Sequence, residues 1–80
     1  EFTRQQAFLY SPDIRVNAIA PGAMLPASFE DQHYFDSLAE IIPMRKTGDL
    51  QSLTNAYEFL IRSTYITGQT ISVDGGWNLI

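Results

Sequence analysis

Ile14-Arg15-Val16-Asn17-Ala18-Ile19-Ala20-Pro21-Gly22 is answered further along the chain by Tyr65-Ile66-Thr67-Gly68-Gln69-Thr70-Ile71-Ser72-Val73-Asp74-Gly75-Gly76-Trp77. Each stretch is a β-rich run feeding a glycine turn. In the first, Ile14, Val16, Ala18 and Ala20 alternate with Arg15, Asn17 and Ile19, so one face is apolar throughout and the other is mixed. Few charges on either face suit a parallel sheet covered on both sides. Pro21 removes a backbone donor and Gly22 permits unusual backbone angles, so the pair ends the expected strand, residues 14–20. In the second stretch Thr70 to Val73 reads as a short strand, which Asp74-Gly75-Gly76 turns outward.

The segment between them reads as helical. A loop over residues 23–29 precedes a short helix over residues 30–42, with Phe35, Leu38, Ile41 and Ile42 inward and Pro43 closing it. Thr47-Gly48-Asp49 is a turn in which Asp49 can cap the next helix. Leu50, Leu53, Ala56, Tyr57, Leu60 and Ile61 then mark one strong apolar stripe, with Tyr57 read as core. Ahead of the first strand, Phe2, Gln6 and Leu9 fall at helical spacing, and Ser11-Pro12-Asp13 stops that helix. Strand, helical excursion, strand is the βαβ order. It predicts parallel pairing of residues 14–19 with residues 70–73, and a helix over residues 53–61 packed on the sheet. The fold class is therefore α/β.

At 80 residues and 45% hydrophobic, the chain is not a disordered acidic segment. It has enough length for one small core, at a size where only about 60% of the unfolded surface is buried. The absence of cysteine excludes a disulfide framework and thiolate metal sites. Nine acidic against five basic residues give a formal charge of -4, and only Arg45-Lys46 are adjacent. That pattern lacks the basic stripe of a nucleic-acid binder. No apolar run approaches a membrane span, and Glu1-Phe2-Thr3-Arg4 has neither the basic region nor the apolar core of a signal peptide. A first residue other than Met, already inside a helical pattern, leads us to expect the C-terminal piece of a longer polypeptide.

Pro21-Gly22 lies where the expected strand ends, the edge at which open α/β sheets bind ligands. A lone Pro-Gly is more often simply a turn, and the following Met24, Leu25, Pro26 and Phe29 fit a ligand pocket or ordinary surface cover alike. His33 is the only histidine. It has no second His or Cys to share a metal and no orienting partner for acid–base work, so it reads as a partly exposed residue on the loop side of a helix start. Asp74, before two glycines, suits holding backbone N–H groups in the turn better than performing chemistry.

Taken together, Arg15-Val16-Asn17-Ala18-Ile19-Ala20-Pro21-Gly22 resembles the sixth-strand motif of the short-chain dehydrogenases/reductases, and residues 65–76 resemble that family's last helix-to-strand segment. Ile42-Pro43-Met44-Arg45-Lys46-Thr47-Gly48 is similar to the link into its penultimate helix. The resemblance covers nearly the whole chain. It implies the C-terminal part of a Rossmann-type doubly wound parallel sheet, with its last two strands and their helices. Residues 1–80 would then be the C-terminal portion of a single NAD(P)-binding domain whose cofactor-binding half lies outside this chain.

The resemblance further implies that Pro21, Gly22 and the backbone of Ala23 and Met24 border the nicotinamide, with Leu25, Pro26 and Phe29 closing over substrate. Within the family, Pro21-Gly22-Ala23-Met24-Leu25-Pro26 looks most like the pteridine reductases, which implies NADP (NADPH) as cofactor and a dihydropterin or dihydrofolate as substrate. It implies a homotetramer, and we expect a cytoplasmic protein partnered by the remainder of its own polypeptide and a small-molecule substrate, with no nucleic acid and no membrane. Two departures stand out. Many relatives place a Thr shortly after the Pro-Gly, whereas Ala23, Met24 and Leu25 offer no hydroxyl, and Leu50-Gln51-Ser52 replaces the usual Pro-Glu-Asp at the next helix start.

Several of the family's chemical parts are absent from these residues. They include the glycine-rich phosphate loop, the Asn-Ala-Gly segment, the Ser, and the Tyr and Lys one helical turn apart. A phenol delivers a proton near neutral pH only where a neighbouring cation stabilises its phenolate. Tyr10 and Tyr34 have no such Lys. The chain is thus expected to hold no catalytic residue and to be inactive alone. The alternative activities are a carbonyl or 3-oxoacyl-thioester reductase, and a noncatalytic binding or structural module of the same fold.

Overall fold

The structure is a computed structural model describing residues 1–22 and 32–80. Helix α1 (Phe2–Tyr10) leads to strand β1 (Ala18–Pro21), then helices α2 (Gln32–Ile41) and α3 (Leu50–Arg62), strand β2 (Thr70–Val73) and a 3-10 turn over Trp77–Leu79. β1 and β2 are parallel neighbours in the register Ala18↔Thr70 through Pro21↔Val73, and α3 packs on both. The α/β class and the parallel pairing follow the βαβ order in the sequence.

The first strand is shorter than residues 14–20 and ends on Pro21 itself. The residues before Ala18 are held by a loop, not a ladder. The Val16 N–H donates to the Thr67 hydroxyl at 3.0 Å, and the Val16 carbonyl accepts from the Gly68 N–H at 2.8 Å. Asn17 spans the same gap with its side chain, donating from Nδ2 to the Ile66 carbonyl and accepting the Gln69 N–H on Oδ1, each at 3.0 Å. Side-chain bonds thus satisfy groups that strand pairing would otherwise take.

Ser11 closes α1, its N–H donating to the Ala7 carbonyl at 3.1 Å and its hydroxyl to the same oxygen at 2.7 Å. The inward residue of α1 is Ala7, near Gly68, whereas Phe2 and Leu9 are exposed. α2 buries Ile42, just past its last turn, and half-buries Leu38, but leaves Ile41 exposed, against the expectation of an inward Ile41. Neighbouring helical positions point about 100° apart, so only one of the pair can face the core. Its C-terminal turn closes through Arg45, which takes a left-handed φ of 59°, donates its N–H to the Ile42 carbonyl at 2.8 Å, and reaches the Glu40 carbonyl with its guanidinium. The side chain of Phe35 lies outside the described residues.

On α3 the stripe is only partly covered. Leu60 is buried and Leu53 and Ala56 are half-buried, but Leu50, Tyr57 and Ile61 are exposed. Tyr57 is therefore outside the core that the described residues build by themselves. Two strands spaced by about 4.8 Å make too narrow a floor for a stripe this wide. Ala7, Ile42 and Leu60 are the buried apolar residues among those described.

Asp49 caps α3, accepting the Ser52 N–H and the Ser52 hydroxyl on Oδ1, both at 2.9 Å. The Ser52 backbone bond holds its carboxyl below the ordinary 3.8. A depressed value means stability present above 3.8 and lost as pH falls through the folded value. Asp49→Ala should accordingly weaken the folded protein at neutral pH and flatten its acid limb. Equal loss of stability at pH 7 and pH 2 in denaturant titrations would contradict the cap.

Candidate functional site at the carboxyl edge of the sheet

Both strands end at the same edge. Pro21 sits in register with Val73, and the Gly22 N–H donates to the Val73 carbonyl at 2.9 Å. A Cβ on Gly22 would lie 2.6 Å from the Asp74 Cβ and 2.7 Å from its Cα. No side chain fits there, because the obstruction is backbone and not a flexible tip. Close approach is the reason for glycine at this exit.

Asp74 turns the chain beyond β2. Its carboxylate accepts the Gly76 N–H at 3.0 Å and the Asn78 N–H at 3.2 Å, while its backbone carbonyl accepts the Trp77 N–H at 3.0 Å. Asn78 returns a bond from Nδ2 to the Ser72 hydroxyl at 3.2 Å. The structural role expected of Asp74 is present. The turn then rests on the link after α2: the Gly75 carbonyl accepts the Met44 N–H at 3.0 Å, and a Cβ on Gly75 would meet Ile42 Cγ2 at 2.8 Å.

A cleft of about 390 Å³ opens beside this turn, lined in part by Met44, Lys46, Ser52, Ser72, Asp74 and Gly75. Its polar groups are an ammonium, hydroxyls and a carboxylate already engaged with the turn. Among the described residues no group of three or more His, Cys, Asp or Glu could hold a metal ion, and no helix is long and apolar enough to cross a membrane. His33 is exposed in the first turn of α2, on the helix and not beside it, and its carbonyl accepts the Ser37 hydroxyl at 3.0 Å.

Of the site residues expected from sequence, Pro21 and Gly22 stand at the strand exit. Ala23, Met24, Leu25, Pro26 and Phe29 lie outside the described residues. Sequence reasoning overlooked Arg15. Its guanidinium donates to the carbonyls of Leu60 and Ser63 at 2.8 Å and of Ile61 at 3.1 Å, closing the C-terminal end of α3. A lone cation in the expected strand, residues 14–20, was the available signal for a helix-end partner.

Residues 1–78 match the family model described as enoyl-(acyl carrier protein) reductase. The chain belongs to the short-chain dehydrogenase/reductase family. It is similar to FolM alternative dihydrofolate reductase 1 from Brucella suis, solved in complex with NADP, at 34% identity and a TM-score of 0.88, covering 99% of this chain and 32% of that one. It is 42% identical over 72 residues to glucose 1-dehydrogenase of Gluconobacter oxydans, covering 82% of this chain and 27% of that protein. Carbonyl reductase family member 4 of Xenopus tropicalis is 37% identical over 70 residues, covering 84% of this chain and 28% of that protein. The chain thus spans about a third or less of the length of these three relatives. Its parallel strands and flanking helices are the C-terminal part of a Rossmann fold.

Proposed function

We propose that this chain is the C-terminal portion of a single NAD(P)-binding domain in a polypeptide that reduces a pteridine, a dihydropterin or dihydrofolate, with NADPH. The observation that carries this reading is the likeness to the NADP-bound FolM enzyme over 99% of the chain. Support for placing the ring at the strand exit comes from its position at the carboxyl edge of the parallel strands, where open α/β sheets bind ligands. In this reading Pro21, Gly22 and the backbone of Ala23 and Met24 border the nicotinamide, and Leu25, Pro26 and Phe29 contact the substrate. The cofactor supplies the hydride, while the protein supplies position and excludes water. The proton donor belongs to the remainder of the polypeptide. The exposed Leu50, Tyr57 and Ile61 suit burial against that remainder and against copies of the whole protein in a homo-oligomer.

A carbonyl or 3-oxoacyl-thioester reductase is the second reading, favoured by the likeness to carbonyl reductase family member 4. Steady-state NADPH oxidation by the parent polypeptide separates the two, with dihydrobiopterin and dihydrofolate in one arm and acetoacetyl thioester in the other. Leu25→Ala and Phe29→Ala should each weaken pterin use severalfold while leaving NADPH affinity near its starting value. Burying one such side chain against a pterin is worth roughly 1–3 kcal/mol. Unchanged pterin kinetics in both variants, or no pterin reduction by the parent, would defeat the pteridine assignment.

A further inference from the structure

Asp74 occupies an unusual position between two parts of the molecule. Its Cα and Cβ face Gly22, near enough that no Cβ fits on that glycine, while its carboxylate holds the N–H groups of Gly76 and Asn78. The Gly22 N–H is bonded to the carbonyl just before it, that of Val73. The height at which β1 leaves the sheet is therefore set by the backbone of Asp74. That backbone is fixed in turn by the C-terminal turn wrapped on its carboxylate. Asn78 adds a strut to Ser72.

We propose that Asp74 is a positioning residue for hydride transfer: it ties the 3-10 turn Trp77–Leu79 to the Pro21-Gly22 exit and so fixes where the nicotinamide ring rests. This rests on the reading of Pro21-Gly22 as the ring's border. Asp74 touches neither cofactor nor substrate in this scheme and acts through Gly22. Removing its carboxylate keeps the Cβ contact but frees two backbone donors of the turn, so the backbone behind Gly22 loses its anchor. Misplacement of reacting atoms by about 1 Å can cost on the order of 100-fold in rate, so a partial release is expected to cost about tenfold.

The test uses the parent polypeptide with NADPH and its best reducible substrate. Asp74→Ala should lower kcat per cofactor-binding site about tenfold and raise the primary isotope effect from deuterated NADPH. The dissociation constant for NADPH should move by less than about threefold, since only the ring end is disturbed. Asp74→Asn retains one acceptor oxygen and should recover part of the loss; if Asp74→Ala does not fold, the Asn variant carries the measurement. A purely structural role would lower the fraction of competent sites and leave kcat per site and the isotope effect unchanged, which would overturn the proposal.

Gly22→Ala separates this failure from failure of the underlying reading. If Gly22→Ala impairs nicotinamide binding while both Asp74 variants turn over normally per site, the Asp74 proposal alone falls. If Gly22→Ala binds and turns over NADPH like the parent, the reading of the strand exit falls and the proposal with it.

Discussion

Replacing Gly75 with Ala will destabilise the folded protein by roughly 3 kcal/mol or more. Two costs add. Gly75 has φ of +62°, a left-handed conformation that costs a residue with a Cβ about 1–2 kcal/mol. The new Cβ would also stand 2.8 Å from Cγ2 of Ile42, the fully buried side chain of this region. Overpacking of that kind costs about 1–3 kcal/mol. A double-mutant cycle separates the terms, because Ile42→Ala removes the obstructing methyl. The double variant should be more stable than the two single losses added together predict, and the remaining penalty at Gly75 is the backbone conformation. Gly75→Ala within about 0.5 kcal/mol of the parent in urea unfolding would show that the turn does not dock on Ile42 as described.

Arg15→Met should cost about 2 kcal/mol, the usual range for losing hydrogen bonds from a charged donor at a helix end, reduced here by partial exposure. Met keeps an apolar stem of similar length, so the loss reads out the guanidinium and not the packing. Without it, the carbonyls of Leu60, Ile61 and Ser63 lose their shared donor at the end of α3. Arg15→Lys should regain less than half, because an ammonium is a point donor and cannot span three oxygens as the planar fork does. Denaturant midpoints for the three proteins check the order. A Lys variant as stable as the parent would mean that charge alone, and not the fork, holds the helix end.

The elements whose partners are local in sequence were legible. Asp49 lies next to the helix it caps, Asp74 lies next to the glycines whose turn it holds, and parallel pairing follows from strand order and the sparse charge of both strands. Legibility failed where a residue's partner lies far along the chain or outside it. Arg15 was read as one member of a mixed strand face, yet its acceptors come more than forty residues later. Tyr57, Leu50 and Ile61 carry the period of a buried stripe, and a helical period records which side of α3 is apolar, not how much of that side the neighbouring strands can reach. The strand exit at Pro21-Gly22 was found through its place in the sheet. The reason for its glycine was not visible, because nothing in the local sequence announces that Asp74 will lie against it.

Asn17 spans the gap to the Ile66 carbonyl and the Gln69 N–H with one planar amide. An amide of fixed size acts as a gauge: it holds both backbone groups only over a narrow range of separation between them. The chain from Ile66 to Gln69 is therefore fixed in length: an inserted or deleted residue would move one group out of reach and shift β2 against β1. Since a slip by one residue would turn every β2 side chain to the opposite face, the constraint that Asn17 places on this connection is one of length, and it protects the alignment of the two strand ends from drift in a surface loop.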